Sequence, residues 1–166
     1  MRHGAGFSLI ELVLVIALII IIVTLAMPQM SFLNKQIVAS EVEKLATVCL
    51  YLRQLALVTQ RNQTLMIDQL TNTYRSEECT YALSSGVRFG FLPNTYGPPS
   101  NPQSLIVKGV TFSNEKIVFH ADGSISSGTL YLVDSLATYF YALTTPSGQA
   151  PCIRQYEYQQ RWVLVS

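Results

Sequence analysis

Few residues in this chain are of types and spacings that could do chemistry. Glu11 is the single charged residue between positions 7 and 27, in the stretch "FSLIELVLVIALIIIIVTLAM". A carboxylate at membrane depth costs on the order of 2.5–3.5 kcal/mol, so such an acid is by default functional and calls for a partner. The alternative is that Glu11 sits near the interface and snorkels unpaired. His120 stands beside Asp122 in "HAD", but a lone histidine in a strand is more often a packed or surface residue, and the pattern is too short for a metal site. Cys49, Cys79 and Cys152 fit neither a CxxC redox motif nor paired zinc-ligand spacing. No GxSxG, HExxH, P-loop or dinucleotide fingerprint occurs. Nothing here points to an enzyme, a cofactor or a metal, and the expected function is structural.

The elements that must position Glu11 follow from composition. The 166 residues are 49% hydrophobic and 13% charged, and much of the apolar excess lies in the first 27. At 1.5 Å rise per residue, residues 7–27 would make a helix of roughly 31 Å, enough to cross a bilayer's hydrocarbon core. A secretory signal has its small-residue exit after the apolar run, whereas here "MRHGAG" precedes it. The run therefore reads as a retained anchor. Arg2 favours a cytoplasmic N-terminus, with Lys35 weakly opposing it, so the remainder is expected to face outward. The net charge of +1, with both signs interspersed after Pro28, gives no general attraction to nucleic acid.

Beyond the run, Val38, Val42, Leu45, Cys49, Leu52 and Ala56 recur at three- and four-residue spacing. They predict an amphipathic helix over roughly 31–61, with Glu41, Glu43, Lys44 and Arg53 mostly off the stripe. Pro28 either ends the first helix or lies within a longer one, and the immediate return of the helical pattern favours continuation. From Asn62 the pattern changes to short runs rich in Val, Ile, Thr, Tyr and Phe. "TLMIDQL", "CTYALSSGVRFGF", "SLIVKGVTF", "KIVFHA", "TLYLVDS", "ATYFYALTT" and "QRWVLVS" read as antiparallel strands. Asp122-Gly123 reads as a hairpin turn, and "FLPNTYGPPSNPQ" as a loop. The class is α+β: a long N-terminal helix, half membrane and half amphipathic, packed on an antiparallel β-rich C-terminal domain. The segments are 1–6, 7–27, 28–61 and 62–166.

"GFSLIE" followed by the apolar run and Pro28 resembles the start of type IV pilin and pseudopilin precursors. The resemblance implies a leader of residues 1–6, cleavage between Gly6 and Phe7 by a prepilin peptidase/methyltransferase, and N-methylation of Phe7. It also implies an assembly role for Glu11 and a helix bend at Pro28. The physics agrees, because cleavage would leave a cationic amine on Phe7 four residues before Glu11, on the same helix face. Between chains, that amine could pair with Glu11 of a neighbour and set axial register. A second stretch, "IVFHADGSISSGTLYL", is similar to the GspH/FimT group of minor pseudopilins at Phe119, Gly123, Gly128, Thr129 and Leu130, with the glycines expected at tight turns.

The implied function is that of a structural minor subunit of a type II secretion pseudopilus. It would be anchored in the bacterial inner membrane, with its β-rich domain periplasmic and other pilins or pseudopilins as partners. The alternative is a minor pilin of a type IV pilus with a DNA-binding role in DNA uptake. Some FimT members use a basic C-terminal loop for that, but here Gln149-Ala150-Pro151 replaces the basic cluster and Glu157 offsets Arg154 and Arg161, so DNA is not the favoured partner. Disulfides are allowed in an outward-facing domain, which makes Cys79–Cys152 a candidate bridge, the alternative being two unrelated thiols. Cys49, on the apolar stripe, reads as a buried thiol.

Overall fold

The chain enters its helix at Ser8, whose carbonyl accepts the N–H groups of Glu11 at 3.0 Å and Leu12 at 3.2 Å. The computed structural model describes residues 8–97, 102–146 and 152–165, with side chains for all of these except 25–32. Helix α1 is assigned over Leu9–Thr59, 51 residues that include position 28. The chain divides into two compact units, Met1–Asn34 and Lys35–Ser166.

In the first unit every residue from 9 to 24 is exposed, and Glu11 lies in the first turn, where the free N–H groups of a helix favour an acid. Residues 9–24 would span about 24 Å, against the roughly 30 Å of a bilayer core. Among the described residues no helix is long and apolar enough to cross a membrane. The expected span, 7–27, runs outside the described side chains at both ends.

The second unit is the α+β fold expected from the sequence. Its strands are β1 (Gln63–Asp68), β2 (Thr73–Arg75), β3 (Thr80–Ala82), β4 (Val87–Phe89), β5 (Lys116–Phe119), β6 (Gly128–Asp134), β7 (Phe140–Thr145), β8 (Arg154–Tyr158) and β9 (Trp162–Leu164). They form two antiparallel sheets, in the orders β3-β2-β1-β5 and β4-β6-β7-β8-β9. The helix stripe is the centre of the core: Val38, Leu45, Cys49 and Ala56 are fully buried, and Val42 and Leu52 nearly so. They pack with Leu65, Ile67 and Tyr74 of the first sheet and with Leu130, Leu132 and Leu143 of the second. Burying each large aliphatic chain contributes about 1.5–3 kcal/mol, which is why the stripe dictates the helix's rotation.

Several expectations need correction. "CTYALSSGVRFGF" is not one strand but β3 and β4, which belong to different sheets and are joined by a crossover through Ser84 and Gly86. "SLIVKGVTF" is not a strand; it contributes only isolated bridges, Tyr96 to Leu105 and Val110 to Leu130. It serves as a cover, with Ile106 packed in a second cluster on the other face of the five-stranded sheet and Val110 and Phe112 in the main core. The turn at Asp122-Gly123 forms, with Gly123 N donating to His120 O at 2.9 Å, but it does not join sheet neighbours. β5 pairs with β1, and β6 pairs with β4 and β7. The segment before Trp162 holds β8, which is an inner strand, and the edge is β9.

Candidate assembly surface

Two places concentrate the residues singled out in the sequence: the apolar start of α1, and the seam where α1 meets the two sheets. At the first, Glu11 is exposed in the opening turn amid Leu9, Ile10, Leu12 and Val13, which are 55–80% exposed. Gly6 and Phe7, the expected cleavage and methylation positions, lie outside the described residues, as does the side chain of Pro28. An apolar surface on all sides of a helix is not stable in water and needs lipid or other apolar helices around it.

The seam is more polar than the sequence suggests. Glu41 was expected off the stripe, but it is only 1% exposed. Its Oε1 accepts from Lys44 Nζ at 2.7 Å and from Ser84 Oγ at 2.5 Å. Ser84 lies in the crossover between the sheets, so one carboxylate oxygen ties α1 to the point where the chain changes sheet. The signal was present in the spacing: Glu41 is three residues after Val38 and four before Leu45, in register with the stripe it seemed to leave. The phenol of Tyr74 is pushed up to about 12, first by burial and then by the Glu41 carboxylate. A second tie joins Lys35 Nζ to Glu157 Oε1 of β8 at 2.6 Å. Burial and Glu157 likewise hold Tyr141 neutral well above its ordinary range.

The residues of the second motif divide between the end of the helix and the cover segment. Phe119 and Leu130 are fully buried. Gly123 has φ +83°, its carbonyl accepts from Arg53 Nε at 3.0 Å, and an added Cβ would meet Leu57 at 3.0 Å. It is required both by its left-handed backbone and by contact with the helix. Gly128 is required for a different reason than expected, since it has no positive φ. A Cβ there would come within 2.5 Å of the Phe112 ring. Thr129 is buried, its N–H donating to Thr111 Oγ1 at 2.7 Å. The motif residues thus serve packing, Gly123 against the helix end and Gly128 and Thr129 against the cover segment.

Cys79 and Cys152 are both free thiols, Cys79 exposed and Cys152 half-buried. They precede β3 and β8, which belong to different sheets, and are not joined to each other in this structure. Cys49 is buried as expected, and burial pushes its thiol up to about 12. His120 lies at the 120–124 turn with Asp122, whose carboxyl is held low by the Ser124 hydroxyl and N–H. Among the described residues no group of three His, Cys, Asp or Glu side chains comes together.

Comparison with known proteins settles the fold. No family model matches the chain, and neither does any curated protein. Among solved structures, the minor pseudopilin EpsH from the type 2 secretion system of Vibrio cholerae is similar, at a TM-score of 0.50 and 13% identity, over 71% of this chain and 94% of that one. The fold is pseudopilin-like. Within it, the buried stripe, Glu41 and the Gly123–Gly128 packing are the features by which this sequence reaches the architecture.

Proposed function

We propose that the chain is a structural minor subunit of a type II secretion pseudopilus, assembling through its N-terminal helix. The observation that carries this is the apolar start of α1, exposed on every side from residue 9 to 24 and bearing one acid, in a chain whose remainder has a pseudopilin-like fold. In this reading residues 7–27 lie in the inner membrane with residues 1–6 cytoplasmic, and the β-rich unit is periplasmic. A prepilin peptidase/methyltransferase cuts between Gly6 and Phe7 and methylates Phe7. The retained positive amine then pairs with Glu11 of a neighbouring subunit, while apolar packing supplies cohesion. Pro28 loosens the helix locally by removing one N–H donor.

The test has two arms. Deleting the gene should remove a set of proteins from the culture medium and leave them inside the outer membrane. In a complemented strain, Glu11→Ala should be processed at Gly6 yet enter filaments poorly. Normal incorporation of the variant would sink the role given to Glu11. An unchanged medium would move the reading to a type IV pilus subunit, for which DNA capture is the further possibility. The charges favour that less: Arg154 at the start of β8 and Arg161 just before β9 are exposed, with Glu157, bonded to Lys35, between them in sequence. Few phosphates could be neutralised, and a salt titration of the protein against duplex DNA would read the number directly.

A further inference from the structure

The two sheets end in four edge strands, and they are finished differently. At β5, the segment after the turn covers the edge: Ser126 N donates to Val118 O at 2.9 Å, and Phe119 bridges Ile125. At β4, the outward N–H groups are taken by Asn72 Oδ1, which receives Phe89 N at 3.1 Å, and by Ser84 O, which receives Val87 N at 3.0 Å. β3 is three residues long and is preceded by Glu77 and Glu78, charges of the kind that keep other strands away. β9 has no such device among the described residues. Its Val163, Leu164 and the following Val165 are 38%, 58% and 57% exposed, and no charge lies between positions 162 and 165.

The register shows which groups are open. β9 pairs with β8 through Glu157↔Val163, and Val165 N donates to Gln155 O at 2.8 Å. In an antiparallel ladder, alternate residues turn their main-chain groups to opposite sides. Val163 and Val165 therefore face β8, and the N–H and C=O groups of Trp162 and Leu164 face outward. Side chains alternate likewise. Trp162 and Leu164 lie on the face with Tyr156 and Tyr158, where the Tyr158 and Trp162 ring centroids are 5.2 Å apart, and Val163 lies on the opposite face beside Glu157.

We propose that β9 pairs with β9 of a second copy, antiparallel about a two-fold axis through Val163, making one continuous sheet from the two five-stranded ones. The strand is complementary to itself in that register. Trp162 faces Leu164 of the partner subunit, and Leu164 faces its Trp162, so all the outward main-chain groups of both residues are used in four hydrogen bonds. Val163 meets its own copy, and Arg161 faces an uncharged valine, so no like charges meet. Val–Val is a favourable cross-strand pair, while the Trp162 ring stays over Phe140 and Tyr158 of its own sheet, its Nε1 donating to Tyr96 O at 2.9 Å, so that Trp162 contributes its main-chain groups to the contact. A second copy is the fitting occupant because that register uses every outward main-chain group of Trp162 and Leu164 and brings no like charges together. The contact is closed and does not propagate, unlike the head-to-tail contacts of a filament. It goes beyond the assembly role proposed above, as a way to cover an exposed edge while a subunit stands outside the filament.

Cysteine cross-linking of the full-length protein in detergent tests it, in a Cys79→Ser, Cys152→Ser background. At the two-fold, Val163→Cys places its Cα about 4.5 Å from its copy, within disulfide range. Leu164→Cys lies diagonally from its copy, at roughly 7–8 Å, and is the control. Mild oxidation should give Val163→Cys dimers at least tenfold faster than Leu164→Cys dimers. Equal rates, or no dimer from either, would overturn the proposal. As a check without cysteines, Val163→Lys should lower the dimer fraction in sedimentation equilibrium at least tenfold. A wild type that sediments as a monomer at every concentration would also overturn it.

Discussion

Replacing Glu41 by leucine removes the acceptor for Ser84 and Lys44 while keeping the position filled and apolar. The two donors respond differently. The Lys44 side chain is 61% exposed, so its ammonium returns to water, and a pair this open is worth about 0–1 kcal/mol. The Ser84 hydroxyl is part-buried and loses its bond to a charged acceptor, at a cost of about 1–3 kcal/mol. Against this stands the relief of the desolvation that the carboxylate suffers at 1% exposure, which makes apolar replacement of buried ion pairs often neutral. Because no uncompensated charge is left behind, the expected net loss for Glu41→Leu is about 1–2 kcal/mol, below the 3–5 kcal/mol typical of a broken buried pair. Ser84→Ala alone should cost a similar amount. The decisive variant is the double one: with donor and acceptor both gone, Glu41→Leu/Ser84→Ala should be more stable than the sum of the singles by about 1 kcal/mol or more. Denaturant unfolding of each protein, followed through the fluorescence of the single tryptophan, Trp162, gives the cycle. Additivity within about 0.3 kcal/mol would refute the idea that this contact ties the helix to the crossover.

Gly128→Ala should destabilise by about 1–3 kcal/mol, since the Phe112 ring at 2.5 Å from the new Cβ must move; the same unfolding assay reads it. Adding Phe112→Leu should recover part of the loss, which a backbone effect at Gly128 would not allow. Tyr74 and Tyr131 are both pushed up by burial to about 12, so the folded state favours their neutral phenols. Their contribution is fully present below pH 10 and is lost as pH rises from 10 to 12, so the unfolding midpoint should fall across that window. An absorbance titration should show ionisation of these phenols later than that of free tyrosine.

The helix stripe was legible because one physical demand acted on it. Val38, Val42, Leu45, Cys49, Leu52 and Ala56 had to share a face to leave water, and a period of three to four residues records that need directly. Glu41 shows the limit of the same reasoning. Its position lay within the stripe, but residue type argued for solvent, and what keeps it inside is Ser84, 43 positions away in a loop with no pattern of its own. The strands divide along the same line. β6 and β7 are long apolar runs buried on both faces, and such runs announce themselves. β2 and β3 are three residues each, too short for alternation to register, and exist because β1 supplies a partner for β2 and β2 one for β3. Sheet membership was out of reach for a further reason: a turn such as Asp122-Gly123 sets how the chain reverses, while the Phe112 ring against Gly128 and Arg53 on the Gly123 carbonyl decide where it goes next. The second motif was visible as a string of residues for the same cause that hid its meaning. Gly123 and Gly128 serve two different contacts made by distant residues, so their identity is written locally and their reason is not.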